Sequence, residues 1–186
     1  ISYLPLSLTH GLTAYLDSFA YSCTEQLVTQ GVPALILSER PEFGYLKSRS
    51  GKSLLDLVAV LRSRQNAEGG YGLWASNHHV VDFVAVYAQH FLMEAKERGQ
   101  PVPADMLANG NNYLRQLASS EGASLADERA RAYAIYILTR QGTVTASLAA
   151  TLQKRLEELY EKEWQQDHAT AKQPAPYPLV EHANRP

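Results

Sequence analysis

Apolar residues in this chain recur at helical spacing almost from end to end, while the apolar–polar alternation of a half-buried strand is nearly absent. That feature narrows the fold class to all-α. Leu54, Leu57, Val58 and Leu61 mark one stripe of a helix expected over Ser53–Arg64. Leu6–Ser18, Cys23–Leu37, Asn77–Glu97, Ala104–Ser119, Leu125–Gln141 and Thr145–Gln166 read the same way. Asn77 is the expected N-cap of its helix, and Gly99 and Gly142 are the expected stops. Gly31 and Pro33 are expected to kink or loosen the segment after Cys23. A break is expected at Pro41-Glu-Phe-Gly44.

The apolar face over Val80–Leu92 is broader than a stripe. Val80, Val81, Phe83, Val84, Val86, Tyr87, Phe91 and Leu92 cover several sides of one helix. The Leu125–Gln141 segment is similar. Helices buried on several sides imply alternating inner and outer helices rather than a simple bundle. Residues 171–186 hold four prolines and little periodicity. The expected organisation is therefore a helical domain over 1–170 and an extended tail over 171–186.

Composition removes several function classes. Hydrophobic residues make up 45% of 186, enough for one domain with a real core. A formal net charge of −2, with acids and bases interspersed, gives no electrostatic case for nucleic acid or an anionic membrane. No apolar run approaches the roughly 20 residues of a spanning helix. Ile1-Ser-Tyr-Leu-Pro5 has neither the basic start nor the apolar centre of a signal peptide, and the absence of Met at position 1 suggests an excised piece of a longer protein.

The chain has one cysteine, Cys23, so no intrachain disulfide can form. Its neighbourhood, Tyr21-Ser-Cys-Thr-Glu-Gln26, carries chemistry. A cysteine and a glutamine three residues apart at a helix start share a face and can meet. A thiolate that displaces ammonia from the glutamine amide leaves an internal thioester. Helix N-terminal N–H groups favour both the thiolate and a developing oxyanion. Such a bond hydrolyses in water, so it must be kept dry; Phe19 and Tyr21 are the candidate covers. By spacing alone, a buried helix-start cysteine is the commoner reading of Cys-x-x-Gln.

The stretch Leu12–Leu35, with Cys23, Glu25 and Gln26 at its centre, is similar to the thioester region of bacterial alpha-2-macroglobulins. The pattern there is an aromatic-rich lead, a small residue, Cys-x-Glu-Gln, and a helix ending near Pro-Ala-Leu. Ser22 stands where glycine is usual, and Phe19-Ala20 where Tyr-Pro is common; both departures bear on shielding. A second match, Gln65 through Gly69, Gly70, Tyr71 and Trp74, resembles the glycine-aromatic turn of α/α toroids. Its glycines allow a tight turn, while Tyr71 and Trp74 are expected to plug between helices. Asp127–Leu138 resembles a further helix of the bacterial family. The matches together cover roughly Leu6 to Asp167, part of a toroid rather than a closed one.

The resemblance implies a thioester domain of a broad-spectrum protease inhibitor, not an enzyme. Cys23 would supply sulfur, Gln26 the acyl carbon, and Glu25 polar support for the loop. It implies target proteases captured through lysine amines, contacts with other domains of a parent macroglobulin, and a periplasmic or cell-envelope location. No cofactor is expected. Complement-type relatives direct the bond with a histidine, and the Leu125–Gln141 segment holds none. His78 and His79 lie earlier, after the glycine-aromatic turn, and their default reading is a helix-start pair. His78, His79 and His90 lack the cysteine or spaced carboxylate that would complete a metal site. The charge run Lys154–Glu163 reads as a solvated helix face. A non-reactive toroid used as an interaction module, and a cysteine-dependent hydrolase, stand as the alternatives.

Overall fold

The computed structural model describes residues 22–37, 47–160 and 163, with residues 47–53 as backbone alone. The expected Leu6–Ser18 helix, the Pro41–Gly44 break, Phe19, Tyr21 and the tail from residue 171 lie outside the described residues. Within them the fold is all-α, with six helices and two isolated antiparallel bridges, Gln65 with Tyr71 and Gly72 with Val80. The chain divides into two compact units, Ile1–Gly110 and Asn111–Pro186.

In the first unit, α1 (Thr24–Leu37) packs against both α2 (Lys47–Arg64) and α3 (Asp82–Glu97). Val28, Ala34 and Leu35 of α1 meet a core with Leu54, Leu57, Val58 and Leu61 of α2 and Val84, Val86, Phe91 and Leu92 of α3, all buried. Leu61 and Leu92 are 0% exposed, a burial that stabilises by about 1.5–3 kcal/mol per side chain. Gly31 serves this packing and is no breaker. A Cβ there would lie 2.3 Å from Leu57 Cδ2 and 3.0 Å from Phe91 Cζ. The helix runs on unbroken through Pro33, giving up the bond to the Thr29 carbonyl that a proline nitrogen cannot donate.

The helix expected from Asn77 begins later, at Asp82, with Val81 as N-cap and no side-chain cap. Asn77 Oδ1 instead accepts the His79 N–H at 3.1 Å, so its capping capacity is used in the preceding turn. Buried Gln89 of α3 donates to the Leu107 carbonyl at 3.0 Å. Leu107 belongs to α4 (Ala104–Ser119), inside which the division between the units falls.

The second unit is built on α5 (Leu125–Arg140) and α6 (Ala146–Tyr160), which pack together. Ser124 and Asp127 form a reciprocal capping box that starts α5. Nearly every side of α5 is buried, as the broad apolar pattern predicts, from Ala130 to Leu138. α6 contributes one stripe through Leu152 and Leu156. Its charge run is solvated only in part. Lys154 pairs with Glu158 at 3.6 Å on the exposed face, but Arg155 turns inward. Arg155 Nε donates to Oε1 of Glu128 at 2.6 Å, and Arg131 donates to Oε2 at 2.6 Å. Glu128 is 0% exposed and Arg131 is 2% exposed, so a buried carboxylate is held between two arginines.

Gly99 and Gly142 follow their helices with φ of +74° and +80°, the expected stops. Among the described residues no helix is long and apolar enough to cross a membrane.

Candidate functional site

Cys23 is the N-cap of α1, since its carbonyl accepts the first helical bond, from the Leu27 N–H at 3.0 Å. Gln26 is then the third residue of the helix, the position from which a side chain reaches back to an N-cap amide. It does so here. The Cys23 N–H donates to Gln26 Oε1 at 3.2 Å. Cys23, in no disulfide, is half-buried, and Gln26 is half-buried beside it. Ser22 and Glu25 are exposed on the approach and the first turn. An acidic Glu25 there complements the positive end of the helix.

Thr24 anchors the helix start from below. It is 0% exposed, its N–H donates to the Leu73 carbonyl at 2.9 Å, and its hydroxyl donates to the Gly72 carbonyl at 2.6 Å. Both acceptors belong to the glycine-rich turn. That turn is shaped by the expected residues. Gly69 has φ +89°, and a Cβ on it would lie 2.1 Å from the Asn109 carbonyl oxygen, so no side chain fits. Gly70 donates its N–H to Asn66 Oδ1 at 2.9 Å. Gln65 Nε2 donates to the Tyr71 hydroxyl at 2.9 Å and to the Met106 carbonyl at 3.0 Å.

Tyr71 is 1% exposed and donates to Gln89 Oε1 at 3.2 Å; burial pushes its phenol above the ordinary value. It is the plug between helices. Trp74 is not. Its side chain is 61% exposed, contrary to the expectation that both aromatics insert. The turn needs Tyr71 because its hydroxyl accepts from half-buried Gln65 and donates to buried Gln89; the Trp74 ring has no such seat.

Two residues that sequence reasoning passed over complete the site: Thr24 and Arg64. Arg64 closes α2, is 8% exposed, and donates to Thr24 Oγ1 at 3.0 Å, to the Leu73 carbonyl at 2.8 Å and to the Ser22 carbonyl at 2.8 Å. Its position was visible as the next step of the Leu54–Leu57–Leu61 stripe, three residues after Leu61. His78, by contrast, is exposed, with its Nδ1 3.5 Å from Glu68. Among the described residues no three of His, Cys, Asp or Glu are grouped to hold a metal ion.

No protein-family model matches the chain. It is 38% identical over 168 residues to an alpha-2-macroglobulin homolog of Yersinia pestis, covering 89% of this chain and 8% of that protein. It is 34% identical over 182 residues to an alpha-2-macroglobulin of Rickettsia conorii, covering 95% of this chain and 10% of that protein. Over most of its length, the chain is homologous to bacterial alpha-2-macroglobulins. Its fold is similar to that of a solved Salmonella alpha-2-macroglobulin reacted with methylamine, with TM-score 0.71, 22% identity, and coverage of 82% of this chain and 11% of that one. The chain thus spans about a tenth of the alpha-2-macroglobulins it matches. Both the Cys23–Gln26 helix start and the Gln65–Trp74 turn fall within this macroglobulin-like segment.

Proposed function

We propose that Cys23 and Gln26 form an internal thioester through which the parent protein, an endopeptidase inhibitor and not a turnover enzyme, captures proteases covalently. The observation that carries this reading is the Cys23 N–H bond to Gln26 Oε1, 3.2 Å, at the first turn of α1 in a chain homologous to alpha-2-macroglobulins. It supports a side-chain carbonyl held against the residue whose sulfur would attack it.

In forming the bond, the Cys23 thiolate attacks the Gln26 amide carbon. The C–N bond breaks, and the nitrogen leaves as ammonia after taking up a proton. In the trapping step a protease lysine amine attacks the same carbon. Negative charge collects on the carbonyl oxygen, where the Cys23 N–H already donates. One such donor contributes about 10²–10³-fold to a rate. The C–S bond then breaks, the sulfur takes the proton released by the amine, and an amide joins position 26 to the protease. Reaction with lysine needs no assisting histidine, in keeping with the exposed, turn-bound His78.

On this reading Phe19 and Tyr21 shield the bond, Glu25 supports the loop, and other domains of the parent control exposure. The parent works in the periplasm or cell envelope. Intact-mass measurement of the full-length protein tests it. The native chain is expected about 17 Da lighter than its sequence, the mass of ammonia. Methylamine, the amine that one similar macroglobulin is described as reacted with, is expected to add at Gln26 and free a titratable thiol. Cys23→Ala is expected to abolish both changes. A native mass equal to the sequence, with no methylamine uptake, would leave a non-reactive interaction module.

A further inference from the structure

Arg64 is a buried cation in an unusual setting. Among the described residues its hydrogen-bond partners are the Ser22 carbonyl, the Leu73 carbonyl and the Thr24 hydroxyl, with no carboxylate. Burying a guanidinium against neutral hydrogen-bond partners such as these is a poor device for stability, because desolvation is only partly offset. Well-packed apolar side chains would serve a core better. A charge kept in such a place points to function. Burial draws Arg64 below its ordinary value. An arginine stays protonated throughout.

The partners explain the setting. Ser22 and Thr24 flank Cys23, and Leu73 belongs to the glycine-rich turn that also takes the Thr24 N–H. One planar fork therefore grips the chain on both sides of the sulfur-bearing residue and ties it to a rigid turn. We propose that Arg64 is a positioning residue for the Cys23–Gln26 thioester: by bridging Ser22, Thr24 and Leu73 it holds Cys23 at the N-cap, where the Gln26 carbonyl reaches it. The proposal rests on the thioester reading above. A lysine has a point charge and no fork, so it could not hold the three acceptors in one plane.

The test uses the full-length protein with Arg64→Met, Arg64→Lys and, as control, Arg62→Met. Arg62 lies on the same helix, is exposed, and pairs with Asp105 at 2.6 Å away from the site. Three quantities are measured on folded material: the fraction of chains about 17 Da light, the half-life of that species in amine-free buffer, and the melting temperature. Wild type and Arg62→Met are expected to match. Arg64→Met is expected to lose about tenfold or more in fraction or half-life, the scale on which small misplacements act. Arg64→Lys is expected to fall between. A folded Arg64→Met protein with the wild-type fraction and half-life overturns the proposal, even if its melting temperature drops. Should Arg64→Met not fold, Arg64→Lys decides: a shortened half-life supports the role and an unchanged one overturns it. A wild type with neither mass deficit nor methylamine uptake overturns the thioester reading itself, and this proposal with it.

Discussion

Replacing Glu128 with glutamine isolates the electrostatics of the second unit. The substitution keeps the shape and removes the charge. Glu128 is 0% exposed and accepts from Arg131 at 2.6 Å, from Arg155 at 2.6 Å and from the Gly122 N–H at 3.2 Å. After the change, Arg131, 2% exposed, is a buried cation facing a neutral amide. Breaking a buried pair by removing one partner costs about 3–5 kcal/mol, chiefly for the charge left behind. At about 1.4 kcal/mol per tenfold, local opening of α5 is expected to rise by about two to three and a half powers of ten. Native-state hydrogen exchange at Ile135, Ile137 and Leu138, all at most 1% exposed, reads that opening directly. Arg155→Met is the comparison. Its side chain is partly open to solvent at 25%, and its removal leaves Glu128 still paired with Arg131. It is expected to lose clearly less protection. Equal losses for the two variants, or less than tenfold for Glu128→Gln, would refute the assignment of the energy to the buried Arg131 charge.

Gly31→Val is expected to destabilise by about 1–3 kcal/mol or more, because the new Cβ lands 2.3 Å from Leu57 Cδ2; thermal melting checks it. Tyr71→Phe removes a hydroxyl shared by Gln65 and Gln89, and is expected to cost about 1–3 kcal/mol, chiefly for the buried Gln89 amide oxygen that loses its Tyr71 donor. Trp74→Ala, at an exposed site, is expected to stay within about 0.5 kcal/mol; denaturant unfolding of the two variants separates plug from surface. The Arg62 hydrogen bond holds the Asp105 carboxyl below its ordinary value. The folded chain therefore binds fewer protons there than the unfolded one. Any stabilisation is present above the ordinary carboxylate range and fades as pH falls through the folded value. Carboxyl titration by NMR should show Asp105 moving up in Arg62→Met, with only a small change in stability, since the pair is exposed.

Where signals are local, the sequence told the fold well. The α4 bounds agree with expectation, and α5 ends one residue early, because glycine stops and a run of apolar residues at helical spacing act within a turn or two. Asn77 misled for a reason equally local. The same side chain that caps helices also closes a turn on the His79 N–H, and composition cannot say which wins. Tyr71 and Trp74 were indistinguishable by spacing. What separates them is the pair of glutamines, Gln65 and Gln89, that meets the Tyr71 hydroxyl from different elements. Gly31 looked like a flaw in a helix; the side chains that require it sit on two other helices. Arg64 was legible as a buried position and illegible as a contact, because its acceptors include backbone carbonyls, which leave no mark in a sequence.

The Cys-x-x-Gln spacing takes on meaning only through where the helix begins. At the N-cap and third positions, that spacing delivers a glutamine side chain back to the cysteine amide. One residue earlier or later, the same four letters would lie along a helix flank with no reason to close. The start at Thr24 is held by its N–H to Leu73 and its hydroxyl to Gly72, nearly fifty residues downstream, and by Arg64 from α2. The glycine-rich turn thus does more than join α2 to α3. Its carbonyls set the register of α1, so a change in the turn's backbone should reach the Cys23–Gln26 pair without touching it. Gly69→Ala puts a Cβ against the Asn109 carbonyl at a φ of +89°, a strain of about 1–3 kcal/mol. It is expected to shorten the life of the light species in the full-length protein. An unchanged half-life in a folded Gly69→Ala protein would show that the register of α1 is set without the turn.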